Sequence, residues 1–453
     1  MKARFRSCVV LLFAVSVLIS ISARATRAQI EPQAPSPAVA ATPPPPGAPQ
    51  SLTLQQAEQI ALRNHPEIQA AIGLAQYANQ EVKQTRSVYY PTAQGSLTGV
   101  EAANNSRIAA SALNNPIIYD RYANGFEVSQ LVTDFGRTHQ LVKSSMLHAQ
   151  AQQENVVTSR EDVLVDVDKA YFAVLRDQTL LRVAEQTVKQ RQLVSNLVTA
   201  EAKNQLKSGL DVSFAQVDLS QAQLLLIQAQ DNLQASYAQL SDALGYSNQQ
   251  TFTLAEQPIP SQPPADVSAL IQQALRDRPE MISQQLDVNS AKDYVTAERD
   301  LWFPTISAAG AAGVTPFRQD QLASRYAAAG FNVNVPIFNG HLFGALKGEA
   351  IARESVQEQY LRGLENTIVR DVRTASLDAN SAYQRLSVTE QLLQQAHKAL
   401  ELAQARYKLG LSSIVELSQA QLNETSAEIA QASAKYDYQT QIAVLNYQIG
   451  ALH

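Results

Sequence analysis

Ala61-Leu62-Arg63-Asn64-His65-Pro66-Glu67-Ile68 and Ala274-Leu275-Arg276-Asp277-Arg278-Pro279-Glu280-Met281 run in parallel at an offset of 213 (274 − 61). In the same register Tyr89-Tyr90-Pro91-Thr92 meets Trp302-Phe303-Pro304-Thr305. Two proline-centred matches at one offset mark an internal duplication, so whatever the unit is, it must be built twice. Further on, Gly125-Phe126-Glu127-Val128 meets Gly330-Phe331-Asn332-Val333 at 205, and Lys207-Ser208-Gly209-Leu210 meets Lys408-Leu409-Gly410-Leu411 at 201. The pentapeptide Ser-Gln-Ala-Gln-Leu occurs at Ser220–Leu224 and at Ser418–Leu422, 198 apart (418 − 220). The drift reads as small insertions in one copy, with the pentapeptide as the last shared marker. The copies occupy residues 51–256 and 267–453, joined by a proline-rich connector at 257–266 that contains Pro258, Pro260, Pro263 and Pro264.

Ahead of the first copy, Lys2, Arg4 and Arg6 precede an apolar run from Val9 to Ile21 and then small residues. This pattern predicts a secretory signal peptide over 1–28. Residues 29–50, rich in Pro and Ala, read as an extended tether. Cleavage after Ala28 removes five basic residues and no acids, leaving 36 − 5 = 31 basic against 41 acidic, a charge of −10. So acidic a chain is a poor partner for phosphate backbones, and nucleic-acid binding is set aside. The only cysteine, Cys8, lies in the signal. The mature chain is therefore expected to have no disulfide, cysteine-ligated metal or lipidation thiol. Past the signal there is no run of roughly 18 apolar residues, so no transmembrane helix is expected.

Each unit opens with a helix ending near Pro66 or Pro279 and a second helix running toward Tyr90 or Phe303. Strands are expected at about 89–101 and 124–136 in the first copy, and about 302–314 and 328–338 in the second. Phe331, Val333, Val335 and Ile337 alternate with polar or small neighbours, as do Thr92, Gln94, Ser96 and Thr98 with Ala93, Gly95, Leu97 and Gly99. Period-two alternation over about ten residues suits a tilted membrane strand, and a small soluble sheet fits nearly as well.

The helices speak more clearly. Ile368, Val372, Ala375, Ala379, Ala382, Leu386, Thr389, Leu393, Ala396, Leu400, Ala403 and Tyr407 keep unbroken 4–3 spacing, a coiled-coil seam. Val163, Val167, Ala170, Val174, Leu181, Ala184 and Val188 repeat the rhythm, with polar Asp177 and Arg191 at two positions. No proline interrupts the stretches from Gly136 to Gly209 or from Gly340 to Gly410. Helical hairpins are therefore expected over about 137–246 and 340–450, with Gly209 and Gly410 at their turns. Four strands cannot close a barrel, yet in lipid every strand edge must be paired, so membrane strands here require several subunits to share one barrel.

At this point the chain resembles the TolC-type outer-membrane efflux protein family. The resemblance rests on Leu52-Thr53-Leu54 with Ala57, Ala61-Leu62, Asn64, Pro66 and Ile68; on Tyr90-Pro91 and Phe303-Pro304; on Phe135-Gly136 and Phe338-Asn339-Gly340; and on Tyr407, Gly410 and Val415-Glu416. It implies an α+β membrane fold, a homotrimer with a twelve-stranded β-barrel in outer-membrane lipid, continued by a periplasmic α-helical barrel. It also implies a periplasmic adaptor and an inner-membrane pump as partners, in tripartite efflux or type I secretion.

The resemblance puts the adaptor contact at Ser208, Gly209, Leu210, Leu409, Gly410 and Leu411, where the other reading of the glycines is helix C-caps of positive φ. It puts a pore constriction at Glu416, with Gln419 replacing a second family acid. Three copies of Glu416 would form a ring favouring cations and raising its own pKa, whereas a solvated helix-end glutamate is the plain reading. His65, His139, His148, His341, His397 and His453 show no metal spacing, and Met146 and Met281 suggest no copper relay. Glu161, Asp162, Asp166 and Asp168 read as solvent-facing or interhelical residues rather than acid–base pairs. No catalytic constellation and no cofactor site is evident. The function expected is a passive exit duct; the alternative is a soluble periplasmic coiled-coil scaffold or adaptor.

Overall fold

The computed structural model describes residues 51–103 and 118–452; the expected signal peptide and tether, and His453, lie outside the described residues. The elements follow the order α1 (Leu54–Asn64), α2 (Pro66–Arg86), β1 (Thr92–Val100), β2 (Arg121–Thr133), α3 (Arg137–Lys203), α4 (Gly209–Ala243), and then α5 (Val267–Asp277), α6 (Pro279–Arg299), β3 (Thr305–Arg318), β4 (Arg325–Asn334), α7 (Leu342–Lys408) and α8 (Ile414–Gln448). The same series occurs twice. Helices α3 and α7 each hold 67 residues, near 100 Å at about 1.5 Å per residue.

Local chemistry sets the joints. Thr53 caps α1 in a reciprocal box with Gln56, and Asp266 caps α5 through the N–H groups of Ser268 and Ala269. Pro66 and Pro279 open α2 and α6 at a position where a missing N–H costs no hydrogen bond. The seam residues Ile368, Val372, Ala379, Val167 and Val174 are buried, and Leu386, Thr389 and Leu393 are half-buried. Asp177 and Arg191, the polar members of the first seam, are buried as well. The connector is strapped along α8: the Tyr438 hydroxyl donates to Ser261 O, the Gln439 amide donates to Gln257 O at 3.0 Å, and Lys435 pairs with Glu256.

The four strands form one antiparallel sheet in the order β1-β2-β3-β4. Their ends differ from those expected. Pro91 and Pro304 follow single 3-10 turns rather than lying in strands, and β4 stops at Asn334. The alternation continues through Val335 and Ile337, but Pro336 has no N–H to extend the ladder. Strands β2 and β3 pair further out, to Arg121 and Arg318, with a register shift beside Pro316.

The repeat register also needs correction. Helices α3 and α4 superpose in sequence on α7 and α8 at a constant offset of 205 (342 − 137 and 414 − 209). The offset of 201 at the tips and that of 198 for the pentapeptide are therefore not structural equivalences. Ser220 lies one heptad deeper into α4 than Ser418 does into α8. A seven-residue displacement returns a side chain to the same seam phase, so the pentapeptide recurs in an equivalent cross-section but not at an equivalent height.

Candidate functional site

At the hairpin tips, helix α3 ends at Lys203 and α4 begins at Gly209, capped by Ser208 in a reciprocal box with Asp211. Helix α7 ends at Lys408 and α8 begins at Ile414, capped by Ser413, whose Oγ accepts the Glu416 N–H at 3.3 Å. Gly410 has φ +71 and supplies the left-handed turn. Gly209 does not: it is the first residue of α4, and Gln205, at φ +60, occupies the left-handed position of the first tip. The C-cap reading of Gly209 is thus corrected. A non-glycine residue makes that turn, which sequence rules do not anticipate.

The constant offset pairs Asp211 with Glu416, each the third residue of a returning helix. Asp211 lies below the usual carboxylate range because the Ser208 hydroxyl and N–H both donate to it. Glu416 is exposed and 3.5 Å from Arg406 Nε, and the Gln419 amide donates to Asn423. Ser208, Leu210, Leu409, Gly410 and Leu411 all lie on these tips, with Leu210, Leu409 and Leu411 strongly exposed. Behind them the hairpins meet in an apolar cluster of Val198, Ala215, Leu400, Tyr407, Ile414 and Leu417. A polar layer lies above it. Arg191 is buried and feels the charges of Asp218 and Glu424, the Ser418 hydroxyl donates to Asp218, and His397 Nδ1 lies 2.8 Å from Glu424. The Glu424 contact raises the His397 pKa.

At the opposite end, register assigns every strand residue to a face. Leu97, Tyr122, Phe126, Val128, Val314, Phe317, Phe331 and Val333 share one face with small residues and with three polar side chains, Asn124, Gln130 and Arg325. Thr92, Gln94, Ser96, Thr98, Glu127, Ser129, Ser307, Asn332 and Asn334 share the other. Aromatic side chains crowd the junction of sheet and helices: Phe135 lies 6.2 Å from Phe303, and Trp302 lies 5.7 Å from Phe343. A mainly apolar face rimmed by aromatic rings suits lipid, and a mainly polar opposite face suits water.

Midway along α3 the acid cluster divides. Asp166 is exposed and pairs with Lys169, and Asp162 accepts the Tyr447 hydroxyl, as solvent-facing and interhelical residues would. Glu161 and Asp168, however, are only 4% exposed. Burial, with Glu280 nearby, pushes Glu161 up to about 7. Burial and the neighbouring Glu58 push Asp168 up to about 8. Among the described residues no cluster of His, Cys, Asp or Glu could hold a metal, and no helix is long and apolar enough to cross a membrane.

The outer membrane efflux protein family matches this chain twice, over residues 58–246 and 270–451. The chain belongs to that family. It is 24% identical over 405 residues to outer membrane protein TolC of Vibrio cholerae, covering 86% of this chain and 89% of that protein. It is 26% identical to the toluene efflux pump outer membrane protein TtgC of Pseudomonas putida, covering 83% and 78%. Among solved structures, a membrane protein from Pseudomonas aeruginosa aligns at TM-score 0.78 and 21% identity, covering 88% of this chain and 90% of that one. The open-state MtrE outer membrane channel of Neisseria gonorrhoeae aligns at 0.72 and 19%, covering 88% of each. Membership makes the chain an outer-membrane exit duct for efflux that extends into the periplasm.

Proposed function

We propose that three copies of this chain pool their four-stranded sheets into one twelve-stranded barrel, continued by the helical hairpins as a periplasmic tunnel. The observation that carries this reading is the open sheet itself. Strands β1 and β4 are its outer strands, and one face is mainly apolar, so a sheet in lipid needs β4 of one copy against β1 of the next. The duct does no bond chemistry; an inner-membrane pump supplies energy, and a periplasmic adaptor engages the tips at Ser208, Gly209, Leu210, Leu409, Gly410 and Leu411. The adaptor opens the tunnel by binding the open arrangement preferentially. Glu416, beside Gln419, forms a ring of three carboxylates where the tips converge. Such a duct serves tripartite efflux or type I secretion.

The test is membrane fractionation of the full chain, followed by the mass of the detergent-extracted particle. An outer-membrane trimer is expected. A water-soluble monomer or dimer would overturn the shared barrel and favour a periplasmic scaffold.

A further inference from the structure

Glu127 lies on the polar face of β2, opposite Gln94 of β1 and Ala311 of β3, with Ala328 of β4 completing the row. The next row outward holds Ser96, Gly125, Gly313 and Tyr326; the next row inward holds Thr92, Ser129, Ala309 and Gly330. Across these three rows Glu127 is the sole charged side chain. Its hydrogen-bond partner is a neutral amide: Gln94 Nε2 donates to it at 3.4 Å. On the same face the cations are Arg121 and Arg318, directly opposite each other at the outer end. Arg121 lies six residues along the strand, about 20 Å away.

The neighbouring wall is low. A Cβ built on Gly125 would sit 2.2 Å from the Tyr326 hydroxyl oxygen, and one built on Gly313 would sit 2.5 Å from it. The Tyr326 ring therefore lies flat across two strands instead of standing into the lumen, and beside it the row of Ala311 and Ala328 carries only methyl groups. The carboxylate of Glu127 stands above this floor with the neutral Gln94 amide beside it and no cation in its own or the adjacent rows to neutralise it.

We infer that Glu127 is a second charge-selecting residue of the duct, a ring of three carboxylates within the membrane that favours cationic over anionic solutes. This rests on the shared-barrel reading. The ring acts in series with the tips but at the opposite end of the molecule. Its influence extends about one Debye length, ~10 Å at 0.1 M salt and ~3 Å at 1 M, so near 0.1 M it acts over a stretch that stops short of Arg121 and Arg318, and its selectivity fades in concentrated salt.

The test is reversal potential across planar bilayers in a KCl gradient centred on about 0.1 M, where the Debye length is about 10 Å. Glu127→Gln is expected to move it toward zero and Glu127→Lys further in the same sense, with all three proteins converging near 1 M. Glu416→Gln, measured alongside, reports the tip separately. Since Cys8 is the chain's only cysteine and lies in the predicted signal, single thiols give a second readout. Added from outside the cell, a cationic water-soluble thiol reagent is expected to modify Glu127→Cys at least about tenfold faster than lipid-facing Phe126→Cys. A conducting Glu127→Gln channel with the wild-type reversal potential at about 0.1 M salt would overturn the inference while leaving the duct intact. Equal thiol rates at 126 and 127 would overturn both the inference and the barrel reading.

Discussion

Lys207 Nζ lies 4.1 Å above the centre of the Tyr407 ring, joining the turn of the first hairpin to the last turn of α7 in the second. It caps the apolar cluster that holds the two hairpins together. A half-exposed cation–π contact contributes about 0.5–1 kcal/mol. Lys207→Ala and Tyr407→Leu are each expected to loosen the tips and raise spontaneous conductance, with Lys207→Arg close to wild type. Single-channel recording without an adaptor checks this; unchanged closed-state current in both variants would remove the contact from the gate.

The tip glycines are expected to diverge on substitution. Gly410→Ala puts a side chain at φ +71 and costs about 1–2 kcal/mol, whereas Gln205→Gly relieves a similar strain in the first tip. Gly209→Ala, at a helical position with nothing within 4 Å, is neutral to slightly stabilising. Hydrogen-exchange protection of the first turns of α4 and α8 reads all three. Equal losses for Gly209→Ala and Gly410→Ala would contradict the assigned turns.

Stability is expected to fall as pH rises from about 5 to 8. Glu161 and Asp168 have native pKa values raised to about 7 and about 8 from 4.5 and 3.8, so the folded chain binds more protons than the unfolded one across that interval. His148 and His397, raised by Asp287 and Glu424, act in the same sense: their stabilisation is present below the ordinary histidine pKa and lost above the raised one. Glu161→Gln with Asp168→Asn is expected to flatten the decline. Thermal unfolding of the extracted protein at several pH values measures it, and an unaltered slope would count against these two acids.

Gly125→Ala is expected to disturb sheet assembly, because its new methyl would meet both the Tyr326 hydroxyl and, at 2.7 Å, the carbonyl of Ala312. Overpacking of this kind costs about 1–3 kcal/mol. Tyr326→Ala should relieve only the side-chain part. The yield of heat-resistant oligomer in outer-membrane fractions reports the outcome; full yield for Gly125→Ala would mean the ring is free to move aside.

The duplication and the seams were legible because both are patterns of spacing, and spacing survives in one chain. Val167, Ile368 and Val372 announce their burial by recurring at heptad positions. The same periodicity obscured height along the helix: a slip of seven leaves the pattern intact, so the repeated pentapeptide looked like an equivalence. Burial of Glu161 and Asp168 was not legible, since a carboxylate reads as a surface residue until α1 and α6 close over it. Glu127 escaped notice because its face is defined only by pairing with Gln94 and Ala311 across strands distant in sequence.

Gly245, just after α4, has φ +77 and a built Cβ there would lie 2.9 Å from the carbonyl of Asn64, at the α1–α2 joint. Gly450, just after α8, has φ +68 and meets Asp277 and Arg278 at the α5–α6 joint. Each copy thus finishes its path at its own starting corner. A tandem copy can begin where its predecessor stopped without rerouting the chain, a topology that makes doubling the gene compatible with folding from the first generation onward. It also makes these two corners the natural places to open and rejoin the chain in a circular permutant.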